Sequence, residues 1–235
     1  MNSAVPVLEI RGMTKSYAGL RPLRIRALAI APGERVAIRG IDAPAAELLV
    51  NLVTGAALPD QGEILVDGRS TADIADGDEW LASLDRFGIV SSRAVLLEGA
   101  TLEQNLAMPF TLQIDPIPDD VRARVAALGA DCGITREWLD QPAGALPAEI
   151  RVRVHLARAV ALEPRLLVVE HPTASVPPTD HPGLARDVTR VTESRRVAAL
   201  IVTMDQAFAS AAAHRALTLN PATGDLKEAG KGWFW

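Results

Sequence analysis

Two rhythms of apolar residues alternate along this chain. Short runs rich in β-branched side chains read as strands: Val7 to Ile10, Val36 to Arg39, Phe87 to Val90, Leu166 to Glu170, Val197 to Thr203 and Ala216 to Leu219. Helical spacing takes over between about Ser92 and Arg158, where Thr101-Leu102-Glu103-Gln104 forms a capping box and Val121, Val125 and Leu128 share one face. Leu184, Val188 and Val191 mark the apolar stripe of a further amphipathic helix. Asp115-Pro116-Ile117-Pro118 interrupts the helical stretch as a flexible link, because two prolines fix extended geometry and exclude helix. Strands interleaved with helices predict an α/β fold with a largely parallel sheet. No internal repeat or low-complexity segment is present.

Composition narrows the class without changing that picture. The 235 residues are 49% hydrophobic and 23% charged, enough for one sizeable core or a core with a small subdomain. No apolar run approaches the ~18 residues of a membrane span, and no charged-then-apolar leader precedes Val7, so a cytoplasmic location is expected. A net charge of -5 argues against a nucleic-acid partner, which needs a basic face. Cys132 is the only cysteine, which excludes an internal disulfide and a cysteine-rich metal site; no metal site is expected.

Candidate chemistry centres on Gly40 to Leu48, where the strand Val36 to Arg39 should feed a phosphate-binding loop. A loop of the form Gly-x4-Gly-Lys-Ser/Thr curls backbone N–H groups around phosphates, neutralises them with lysine and holds magnesium through the hydroxyl. Gly40 fits the first glycine, but Ala45, Ala46 and Glu47 stand in place of the second glycine, the lysine and the hydroxyl residue, with Leu48 following. No lysine lies between Lys15 and Lys227, so no realignment supplies one. Pro44 has no N–H to offer, and Asp42 and Glu47 set negative charge against a triphosphate. Pro44 suits the first position of a helix and Glu47 its positive first turn, so the segment should start a helix without holding a nucleotide.

The flanks carry a resemblance. Gly33-Glu34-Arg35-Val36-Ala37-Ile38 leads in, Leu49-Val50-Asn51-Leu52-Val53-Thr54-Gly55 leads out, and Pro59-Asp60-Gln61-Gly62-Glu63-Ile64 and Asp67-Gly68 follow. Together, from about Leu8 to Gly230, they resemble the ATP-binding subunits of ABC transporters. The resemblance implies a P-loop NTPase, RecA-like core of the ABC ATPase type with an N-terminal antiparallel β region and an inserted helical subdomain. As one domain over residues 1–235, the core would occupy 1–91 and 159–235 and the helical subdomain 92–158.

Carried over residue by residue, the resemblance places Tyr17 where a tyrosine stacks on adenine, the alternative being a half-buried aromatic packed on its neighbours. Ser92 falls where a glutamine senses magnesium. The signature motif at a helix start becomes Leu146-Pro147-Ala148-Glu149-Ile150, with Pro147 in place of its serine. Glu170 and His171 replace the metal-binding aspartate and the general-base glutamate, Pro177 replaces an aspartate of the following loop, and Met204 replaces the switch histidine. His155, His181 and His214 are scattered without metal-ligand spacing.

These departures predict an ABC fold maintained without ATP hydrolysis, in which ATP and Mg2+ are not expected as cofactors. Such a chain would serve as a structural or regulatory half of a transport complex, docking a membrane subunit through residues 92–110 and pairing with a second, intact ATPase. Peripheral placement at the inner face of the membrane would follow. An active ATPase using Glu170 and His171, now with ATP and Mg2+, is one alternative. A soluble interaction protein using Trp233, Phe234 and Trp235 is the other.

Overall fold

In the structure, a computed structural model, residues 5–228 are described. The aromatic tail Trp233 to Trp235 lies outside them. In chain order the elements are β1 (Leu8–Lys15), β2 (Leu23–Ile30), β3 (Arg35–Arg39), α1 (Ala43–Val53), β4 (Gln61–Val66), β5 (Arg69–Ser70), α2 (Gly77–Ser83), β6 (Phe87–Val90) and α3 (Leu102–Ala107). They continue with α4 (Asp119–Asp131), α5 (Ala148–Val160), β7 (Leu166–Glu170), α6 (His181–Arg195), β8 (Ala198–Val202), α7 (Gln206–Ala212), β9 (Arg215–Leu219) and β10 (Leu226–Glu228).

Two sheets organise these elements. A six-stranded sheet runs β10-β9-β3-β8-β7-β6, and a four-stranded one runs β2-β1-β4-β5. Strands β9, β3, β8, β7 and β6 are mutually parallel, β10 is an antiparallel edge, and the smaller sheet is antiparallel throughout. The central strands β7 and β8 are buried along their whole length, so both faces must be covered. Their alternation divides the core cleanly. Leu167, Val169, Ala199 and Ile201 pack beneath the helices α3 to α7, while Leu166, Val168, Leu200 and Val202 pack against α1 and the antiparallel sheet.

Every strand expected from the apolar runs forms, and Thr101 with Gln104 closes both arms of the capping box on α3. Val121, Val125 and Leu128 are the buried face of α4, and Leu184, Val188 and Val191 are buried on α6. No helix spans Asp115 to Pro118. Gly88 sets how closely α5 lies on the sheet, because a Cβ there would come 2.2 Å from the Ala159 carbonyl oxygen. Among the described residues, no helix is long and apolar enough to cross a membrane.

Candidate functional site

Parallel strands bring their carboxyl ends to one edge of the sheet, the place where open α/β sheets form ligand crevices. Here β3 delivers Gly40, β6 delivers Ser91 to Arg93, β7 delivers Glu170 and His171, and β8 delivers Thr203 and Met204. Gly40 turns with a positive φ of 84°, and a Cβ on it would meet the Leu219 carbonyl oxygen of β9 at 3.0 Å, so glycine is required for the chain to leave the strand this way.

Helix α1 begins one residue before Pro44, at Ala43, with Asp42 as its N-cap. The Asp42 carboxylate accepts the Ala45 N–H at 2.9 Å, and its backbone carbonyl accepts the Ala46 N–H at 2.8 Å. Glu47 therefore sits beyond the first turn and is no partner for the helix's positive end. Instead its carboxylate pairs with Arg93 at 2.6 Å, and the other guanidinium nitrogen of Arg93 pairs with Glu170, also at 2.6 Å. Glu170 is 8% exposed.

Helix α5 begins at Ala148 with Pro147 as N-cap, and no side chain caps it. Its body is fixed by Arg153, which donates to the buried Asp187 of α6 at 2.7 Å. His171 follows β7 in a left-handed conformation, φ 43°, with its N–H donated to the Val202 carbonyl at 2.8 Å and its Nε2 buried without a partner. A non-glycine residue held there is strained.

The expected site residues gather into two cavities. One, of about 520 Å³, is lined by Tyr17, Gly40, Asp42, Ala45 and Met204 together with Arg21 and Arg24. Tyr17 is partly buried and packs on the core, and burial followed by the nearby Asp42 charge pushes its phenol up. The other, of about 530 Å³, gathers Ser92, Leu146, Ala148, Glu170 and His171 with Ser91, Arg151, His155 and Ser175. Ala46 and Ile150 are buried, Leu48 packs on the core and Pro177 is exposed, so none of these lines either space. Pro147 and Glu149 stand at the α5 start beside the second cavity without lining it. Among the described residues, no cluster of three or more His, Cys, Asp or Glu side chains is placed to hold a metal ion.

A third space, of about 360 Å³, opens on the far side of the residues after β6. Leu84, Phe87, Ile89, Ala94, Pro109 and Leu162 line it, giving it an apolar floor.

Two residues in this region escaped the sequence reading. Asp42 counted there only as a charge facing a phosphate, although an aspartate three residues before the amide it caps is a standard helix-start signal. Arg93 gave no signal, because its partner Glu170 lies 77 residues away in sequence.

Comparison with known proteins bears on the whole chain. Residues 23–174 match the model of the ABC transporter family. The chain is 29% identical over 229 residues to a sulfate/thiosulfate import ATP-binding protein of Methylococcus capsulatus, covering 95% of this chain and 62% of that protein. It is 29% identical over 214 residues to the lipoprotein-releasing system ATP-binding protein LolD of Alcanivorax borkumensis, covering 89% of this chain and 93% of that one. Among solved structures, the dimeric ABC transporter cassette MJ0796 superposes with a TM-score of 0.76 at 21% identity, over 97% of this chain and 100% of that one. A TM-score of 0.77 at 20% identity relates it to cbiO1 from Clostridium perfringens, over 94% and 87% of the two chains. The fold is that of an ABC ATPase.

Proposed function

The chain belongs to the ABC transporter family, and we propose that within it the protein is a subunit that keeps the ATPase fold and docking surface but neither binds nor hydrolyses ATP. It serves as a structural or regulatory half of a membrane transport complex, held at the inner face of the membrane by its partners. Its groove beside residues 92–110 receives a membrane subunit, and a second, intact ATPase pairs with it. Domain organisation follows the same reading, with a core of 1–91 and 159–235 around a helical subdomain of 92–158.

One observation carries this reading: the crevice's anion and cation positions are filled from within. The amides at the start of α1 are the donors a phosphate needs, and Asp42 already takes the Ala45 N–H. A phosphate entering there would displace that bond and face the Asp42 charge with no lysine to offset it. Between the Glu47 and Glu170 carboxylates lies the Arg93 guanidinium rather than open space. The residues present therefore do not fit a magnesium nucleotide in the usual pose. At the start of α5, Pro147 offers neither hydroxyl nor N–H, and Glu149 adds negative charge.

The buried, unpartnered Nε2 of His171 favours a second reading, an ATPase that uses His171 as base and Glu170 as metal ligand. Glu170→Gln or His171→Ala leaving any measured ATPase activity unchanged removes it.

Affinity purification from native membranes tests the main proposal. Recovery with a membrane subunit and a second ATPase is expected. Recovery as a monomer without partners contradicts it.

A further inference from the structure

We infer that Arg93 is a built-in counter-ion that takes the place of a divalent cation and clamps the segment after β6 to the core, fixing the shape of the docking groove without any nucleotide. The clamp joins three elements that are far apart in sequence: the segment 91–100, α1 through Glu47, and β7 through Glu170.

The geometry is specific. Two nitrogens of one planar guanidinium each reach a different carboxylate at 2.6 Å. A fork of this kind can satisfy two carboxylates at once, whereas a lysine ammonium is a point charge. The two arms differ in environment, with Glu47 49% exposed and Glu170 only 8%. Losing the guanidinium strands a buried carboxylate at Glu170, so that arm dominates; the Glu47 arm is solvent-screened. Without a cation between them the Glu47 and Glu170 carboxylates would repel, and here a side chain of the same chain supplies that positive charge.

The rest of the segment is pinned elsewhere. Arg158 of α5 donates to the Val95 carbonyl at 2.8 Å, and the buried Asn105 of α3 accepts the Leu97 N–H at 2.9 Å and donates to its carbonyl at 3.0 Å. Ser91 and Ser92 face the cavity at the strand ends, while Ala94 faces the apolar groove behind it. The segment is thus the partition between the two spaces, and His155 also borders both. Holding Arg93 holds the partition.

The docking role of the groove rests on the proposed function, whereas the clamp is read from the geometry of Arg93 alone, so the exchange test can fail while partner recovery still holds. Hydrogen exchange on the full chain, followed by mass spectrometry without nucleotide, tests the clamp. In Arg93→Gln, amides of residues 91–98 should exchange about tenfold faster than in the unmodified protein, with β7 and β8 unchanged. Millimolar magnesium chloride should slow that exchange again in the variant and leave the unmodified protein unaffected. Should Arg93→Gln unfold, the half-exposed Glu47→Gln keeps the test alive and should speed the same amides severalfold. Unchanged exchange of 91–98 in a folded variant overturns the clamp. Failure of magnesium to slow the variant overturns the substitution for a cation.

Discussion

Helices α1 and α5 each start beside one of the two cavities and cap their N-termini differently. At α1 a carboxylate of the chain, Asp42, occupies the Ala45 amide; at α5 the cap is Pro147, which occupies nothing. One anion site is closed by filling and the other by withdrawal of donors. The first arrangement stabilises the fold as an ordinary helix cap, so it carries no structural penalty. The second leaves a helix start unsupported, and α5 is held instead through its flank, by Arg153 to the buried Asp187 of α6. Both helices therefore form without help from a phosphate, for different physical reasons.

The strongest way to break this comparison is at α5's substitute anchor. Asp187 pairs with both Arg153 and Arg190 at 2.7 Å, and Asp187→Ala leaves the mostly buried Arg153 without a counter-charge. A loss of about 3 kcal/mol in chemical denaturation is expected, and a loss under half that shows that α5 has another anchor.

Comparable in size is a pH effect on the same helix. Burial holds the His155 imidazole down at about 4, with the Arg158 and Arg151 charges adding to it. Unfolded, the group titrates near 6.5, so between those values the unfolded chain binds the proton more tightly. Stability should be flat above about pH 6.5 and fall by roughly 3 kcal/mol as pH drops to 4. His155→Gln should flatten that slope in denaturation measured across the range.

At α1 the expected change is smaller. Asp42→Ala removes the cap and should cost about 1 kcal/mol by thermal unfolding, without conferring ATP binding, because no lysine is gained. Smallest is Pro147→Ser: the backbone there, φ -64° and ψ 158°, already suits an N-cap, so a gain of about 0.5 kcal/mol is expected. A loss instead means that the proline ring itself packs usefully.

How far the sequence revealed these two helices differs as well. Periodicity placed β3, β7 and β8 correctly, because strands buried on both faces leave unbroken apolar runs such as Leu166 to Val169. It gave less for β2, whose Arg24 and Arg26 are exposed alternates on an antiparallel edge; the resemblance, not the run of apolar residues, supplied the antiparallel region there. At the site, local signals worked only where the partner is local. The capping box of α3 was readable from four consecutive residues, and the same rule applied to Asp42 would have found the α1 cap. The Arg93 bridge and the Arg153–Asp187 pair were invisible, since both join segments that only the folded sheet brings together. His171 takes its place from the resemblance, while its left-handed backbone depends on the exit from β7 and leaves no trace in composition.

Titration of the purified chain with a fluorescent ATP analogue in magnesium buffer tests the central claim most directly. A crevice filled by Asp42 and Arg93 predicts no saturable binding with a dissociation constant below about 0.1 mM, equivalent to roughly -5.5 kcal/mol. A tighter constant, competed by unlabelled ATP, contradicts it.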